Sequence, residues 1–165
     1  MMSIIEWVKA HFHGHRQRSK WSFLWRTSVE GLLVALVIGM ALKLLFSFPP
    51  RHDLHPSIKE FFSIVVFAPF FETIFLQSFP VMIARVLGSH FRGQLLAAWI
   101  PFAALHFLAG IATGICAGIV GGFYIAFTYT HWRGVSLRSA FWMTCAYHAL
   151  HNLGPAIIML IALKQ

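Results

Sequence analysis

The chain has 165 residues, of which 58% are hydrophobic and 11% charged, and its formal net charge is +8. A typical soluble domain has about 25% charged residues and does not string apolar residues into runs of about 20, so a water-soluble globule is set aside. The basic residues punctuate the ends of the apolar runs rather than forming one patch, which argues for membrane topology and against nucleic acid as a partner.

Residues 1–28 form a basic, aromatic leader in which Lys9, Arg16, Arg18, Lys20 and Arg26 alternate with Trp7, Trp21 and Trp25. This composition predicts a helix lying in the cytoplasmic membrane interface. HFHGH at 11–15 is a weak metal-ligand pattern, and a solvated surface leader is the preferred account of it. No short apolar core with a small-residue cleavage site follows, so a cleaved signal is not expected.

A transmembrane domain is predicted over residues 29–165. Its first segment covers about 29–48 and stops at Pro49-Pro50, and its second covers about 61–84, with a kink or break expected at Pro69 and Pro80. The third covers about 95–108, the fourth follows a tight glycine turn and ends near Tyr129, and the fifth covers about 140–163. The predicted fold class is all-α, a polytopic transmembrane helix bundle with about five crossings, surrounded by the lipids of the cell membrane. A cytoplasmic N-terminus then places Lys9, Arg16, Arg18, Lys20, Arg26, Arg85, Arg92, Arg133 and Arg138 inside, and Arg51, Lys59 and Lys164 outside.

Gly110, Gly114, Gly118 and Gly122 recur every four residues and predict a smooth ridge for close packing inside the bundle, with homodimerisation as the alternative. Cys116 and Cys145 make neither a disulfide framework nor a CxxC pattern and read as small buried hydrophobes.

One acid lies deep within an apolar segment: Glu72, in PFFETIFLQ at 69–77. A carboxylate at that depth costs about 2.5–3.5 kcal/mol on insertion scales and marks a functional site. His106 and His148 lie about midway along two other apolar segments, and Asn152 shares a helical face with His148, as Phe102 does with His106. His151 lies between His148 and Asn152. A carboxylate beside an imidazole can hold a water and take its proton. A second imidazole and an amide can donate to a developing oxyanion, one such donor contributing about 10²–10³ in rate.

The order Glu-Thr-x-x-x-Gln (72–77), Phe-x-x-x-His (102–106) and His-x-x-x-Asn (148–152) resembles the CPBP family of intramembrane proteases, which includes the CAAX prenyl endopeptidases and the bacteriocin-processing Abi proteins. The resemblance covers residues 60–160. It implies an all-helical membrane bundle whose cavity opens to the cytosol and which hydrolyses a peptide or membrane-protein substrate. It also implies roles: Glu72 as the catalytic glutamate, His106 as the histidine that helps activate water, and His148 with Asn152 as the oxyanion pair. Thr73 and Gln77 depart from the family's usual second Glu and Arg. On an ideal α-helix positions 72 and 77 lie about 140° apart, so Gln77 is expected off the Glu72 face, in a supporting role. Phe102 and His151 are supporting residues as well.

Two other classes compete. A zinc-dependent membrane hydrolase would use His106, His148 and His151 or Glu72 as ligands, but no H-E-x-x-H spacing is present, so no metal or other cofactor is expected at the site. A non-catalytic binding or immunity protein, or a bis-histidine haem carrier, would keep the bundle without proteolysis.

Overall fold

The computed structural model describes residues 3–46 and 57–162. The expectations placed on Pro49-Pro50, Arg51 and Lys164 lie outside these residues. Six helices account for the described chain, with no strand among them: α1 (Ile4–Arg16), α2 (Lys20–Leu45), α3 (Ile58–Val86), α4 (Phe91–Phe107), α5 (Ile111–Arg133) and α6 (Leu137–Ala162). The fold is all-α, and α2, α3 and α5 are each long and apolar enough to cross a membrane.

A capping box starts α1: the Glu6 N–H donates to Ser3 Oγ at 3.2 Å and the Ser3 N–H donates to the Glu6 carboxylate at 2.8 Å. The Ser3 backbone bond holds the Glu6 carboxyl below the usual carboxylate range. Because that shift is downward, the cap is complete above the ordinary range and is lost as pH falls through the lowered value. The helix is not solvated all round, as a surface leader would be. Phe12 packs against Phe123, Tyr124 and Phe127, and His15 is buried. The boundary expected between residues 28 and 29 falls inside α2, which runs unbroken from Lys20.

Pro69 and Pro80 neither break nor end α3. Proline lacks an N–H and crowds the carbonyl four residues back. Here the turn ahead of each proline widens to i→i+5 bonding, at Ser63–Phe67 and at Thr73–Ser78. Accordingly the Ala68 N–H donates to Ser63 O and the Phe79 N–H to Ile74 O.

Between α4 and α5 the chain reverses at Gly110, whose φ of 113° favours a residue without Cβ. The two helices then pack antiparallel and close. Gly114 faces Phe107, Gly118 faces His106 and Ala103, and Gly122 faces Phe102 and Trp99. Three of the four ridge glycines therefore lie inside the bundle against α4, while Gly110 makes the turn. The ridge is itself wide-turned over Gly114–Gly121, and Trp99 Nε1 donates to the Ile119 carbonyl at 2.9 Å.

Side-chain contacts gather several helix ends at one end of the bundle. Lys20 Nζ donates to Ser139 Oγ at 3.1 Å and lies 5.8 Å from the centre of the Trp132 ring. The Arg16 guanidinium lies 4.6 Å over Phe91, and Arg85 donates to Gln94 at 3.3 Å. Phe23, Val81, Phe127, Tyr129 and Trp132 form the core there, and a second cluster of Leu24, Phe102, Ile125 and Tyr147 continues it.

Candidate functional site

Glu72 sits near the middle of α3, where the ordinary turn of Ala68–Glu72 gives way to the wide turn Thr73–Ser78. Its Oε2 lies 3.8 Å from Nε2 of His148 on α6. That distance is long for a direct hydrogen bond. His148 is buried, with the Phe102 ring edge-on to it at 5.7 Å between centroids. The other side of that contact is His106, whose ring stacks on Phe102 at 4.3 Å. Helix α4 thus holds His106 one aromatic ring away from His148. His106 Nδ1 donates to the Phe102 carbonyl at 2.9 Å, because a carbonyl only accepts, and in the neutral ring this leaves the lone pair on Nε2.

Asn152 Nδ2 donates to the Ile64 carbonyl at 3.0 Å. The wide-turn pattern that pairs Ala68 with Ser63 would pair residue 69 with Ile64, but residue 69 is proline and has no N–H. The amide of Asn152 takes the place of that missing donor and ties α6 to α3. Cys145 makes a longer contact beside it, its Sγ 3.7 Å from Pro69 O.

Thr73 and Gln77 are both fully buried. The expected separation of Gln77 from the Glu72 face assumed an ideal α-helix. Bonding from i to i+5 through Thr73–Ser78 instead brings residues five apart nearly over one another, so Gln77 lies closer to the Glu72 face than that geometry allows. His151 is buried and stacks on Tyr147 at 5.9 Å. Gly121 makes room for it, since a Cβ there would stand 3.0 Å from His151 Nε2.

Among the described residues, Glu72 Oε2, both polar atoms of Gln77, Thr144 Oγ1, His148 Nδ1 and His151 Nδ1 are buried and make no hydrogen bond to protein. At membrane depth such groups require polar partners. Two neighbouring helices thus present donors and acceptors suited to water or to a polar backbone. Thr144 was not among the expected site residues, although its place four residues before His148 puts it on the same face. Alongside, an apolar hollow of about 610 Å³ is lined by Val65, Phe67, Pro69, Phe70, Trp142 and Ala146 among others.

A second polar cluster joins two histidines of the HFHGH stretch, noted in the sequence as a weak metal-ligand pattern, to an acid that the sequence does not connect with them. Glu30 on α2 lies 2.9 Å from His11 Nε2 and 2.8 Å from His15 Nε2, and it accepts from the Tyr124 hydroxyl at 2.5 Å. The i, i+4 spacing of the two histidines was a signal. Their partner was hidden because Glu30 looked like a segment edge. The clusters are linked by stacked rings, Tyr124 on Tyr147 at 6.3 Å and Tyr147 on His151.

Comparison of the chain with protein-family models, with curated proteins and with solved structures finds no match.

Proposed function

We propose that the chain is an intramembrane endopeptidase in which Glu72 takes a proton from water that attacks a peptide carbonyl. The observation that carries this reading is the Glu72–His148 approach of 3.8 Å between two apolar helices that also carry buried polar atoms without protein partners, Gln77 on one and Thr144 on the other. Glu72 takes the proton as water attacks the carbonyl carbon and returns it to the leaving amine as the C–N bond breaks. His106, its ring held against the Phe102 carbonyl at 2.9 Å, is the histidine assigned to help hold the same water. His148 and the second N–H of Asn152 are the donors for the oxyanion. Thr73 and Gln77 support the substrate backbone, and the apolar hollow beside Pro69 suits its side chains. The three-motif resemblance to CPBP proteases supports the same roles.

This function goes with five crossings, α4 and α6 joining α2, α3 and α5, a cytoplasmic N-terminus and a cavity open to the cytosol. The antiparallel packing of α4 along α5 supports the first of these.

The test compares membrane and secreted peptides, by mass spectrometry, between cells carrying wild type and cells carrying Glu72→Gln. Gln keeps the volume but cannot accept the proton, and it removes a buried charge, so thermal stability holds or rises. The expected result is loss of specific cleavage products with the folded protein at normal levels. Identical peptide profiles would move the chain to the class of non-catalytic membrane binding proteins.

A further inference from the structure

His11 and His15 occupy one face of α1, and their Nε2 atoms lie 3.2 Å apart. Both point at the Glu30 carboxylate, His11 at 2.9 Å from each oxygen and His15 at 2.8 Å from Oε2. With Glu30 ionised, no assignment of the ring protons satisfies all these approaches. If both Nε2 atoms carry hydrogen, two donors face each other across 3.2 Å. If one does not, its lone pair faces a carboxylate oxygen, which also only accepts. A cation between the three groups removes the conflict, because all three then turn lone pairs to one point.

We propose that His11, His15 and Glu30 hold a divalent transition-metal ion, with Tyr124 orienting the carboxylate ligand. One donor atom from each of the three lies within 4.8 Å of the others. Metal–ligand bonds of about 2.0–2.1 Å put neighbouring ligands about 2.9–3.4 Å apart, from octahedral to tetrahedral geometry. The observed 2.8–3.2 Å separations have that size. Two imidazoles and a carboxylate are the donors that zinc and its neighbours take, whereas calcium and magnesium prefer oxygen alone. The Tyr124 hydroxyl bond to Glu30 is the outer-shell contact that such ligands usually have. Beside the cluster lies a hollow of about 340 Å³ lined by Arg18, Trp25, Arg26 and Leu33, with room for water or a small anion to complete the coordination. An ion there joins α1 to α2 and, through Tyr124, to α5. The site is separate from Glu72 and does not depend on the protease reading.

Full-length protein with an affinity tag free of histidine, purified in detergent and stripped with chelator, is titrated with Co²⁺ and then with Zn²⁺. One tight equivalent per chain is expected, with visible cobalt bands that zinc abolishes. Glu30→Gln and His11→Gln weaken binding by more than the about 10–100-fold typical of losing an outer-shell partner. His13→Ala, an exposed position on the same helix, leaves affinity unchanged. Zinc also slows tryptic cleavage after Arg16 and Arg18 in wild type and not in Glu30→Gln. Circular dichroism follows the fold of each variant. Should Glu30→Gln fail to fold, His11→Gln decides, because His11 is about one-third exposed. Absence of a saturable equivalent, or wild-type affinity in the folded variants, overturns the site.

Discussion

Pro69 leaves the Ile64 carbonyl without a backbone donor in the wide turn, and Asn152 supplies one from another helix at 3.0 Å. Asn152→Ala should therefore lower stability by about 1 kcal/mol, the net contribution of a half-buried hydrogen bond, besides any loss of rate. Pro69→Ala restores an N–H at the position the turn needs. In the Pro69→Ala background the Asn152→Ala substitution should cost clearly less, a coupling that thermal unfolding of the four proteins in detergent would read. Strictly additive shifts would deny Asn152 its structural duty. If the double variant regains stability but not cleavage, the amide's share in oxyanion binding is separated from its share in folding. The pairing of His148 with Asn152 on one face was legible from their spacing. The engagement of Asn152 by Ile64 was not, because it depends on which helix faces α6 and on a shift from i→i+4 to i→i+5 bonding. The same shift hid the approach of Gln77 to the Glu72 face, since an angle drawn on an ideal helix assumes the bonding it sets out to predict.

Helix α5 owes its closeness to α4 to the absence of side chains along its ridge. A Cβ at Gly118 would stand 2.9 Å from His106 Cβ and 3.0 Å from the Ala103 carbonyl oxygen, and neither belongs to a flexible chain end. Gly118→Ala should push the two helices apart at a cost of about 1–3 kcal/mol and displace His106 with them. Gly14 gives the contrast within α1, because nothing lies within 4 Å of its would-be Cβ. Gly14→Ala should leave stability unchanged or raise it by up to about 1 kcal/mol. Melting curves of the two variants should move in opposite directions or differ plainly in size; equal shifts would remove the ridge as a packing device. The ridge was visible as a four-residue repeat, and its internal use was the preferred reading. Its start was misjudged because Gly110 is needed for a positive φ at the turn. The docking of α1 was less accessible. Its aromatic and basic residues suit an interfacial helix equally well, and only the position of α5 reveals that Phe12 has Phe123, Tyr124 and Phe127 to meet.

The arrangement of charge over the whole molecule turns on whether α4 crosses the bilayer, because α2, α3 and α5 qualify as spans by length and apolarity while α4 has 17 residues. At about 1.5 Å per residue such a helix reaches about 25 Å, close to the hydrocarbon thickness of about 30 Å. If α4 did not cross, a chain that starts inside would bring Arg133 to the outer side after three spans. The contacts argue otherwise. Lys20 at the start of α2 touches Ser139 at the start of α6, and Phe23 stacks on His131 at the end of α5. The start of α2 and the end of α5 therefore share one end of the bundle. Arg16 over Phe91 brings the start of α4 to that end, and Arg85 reaches it through Gln94. Arg16, Lys20, Arg85 and Arg133 then gather at one end of the bundle, with Arg92 and Arg138 next to it in sequence, and the proposed orientation, drawn from the bias of Lys and Arg, puts that end in the cytoplasm. Single-cysteine probes at Arg92, Arg133 and Arg51, in a background with Cys116 and Cys145 replaced by Ser, test this directly with a membrane-impermeant thiol reagent. Positions 92 and 133 should be labelled only in inside-out vesicles, and position 51 only in intact, right-side-out ones. Labelling of 92 and 133 from opposite sides would mean that α4 does not cross. Labelling of both from the outer side would keep α4 and α5 as crossings and reverse the molecule, carrying the proposed cavity mouth with it.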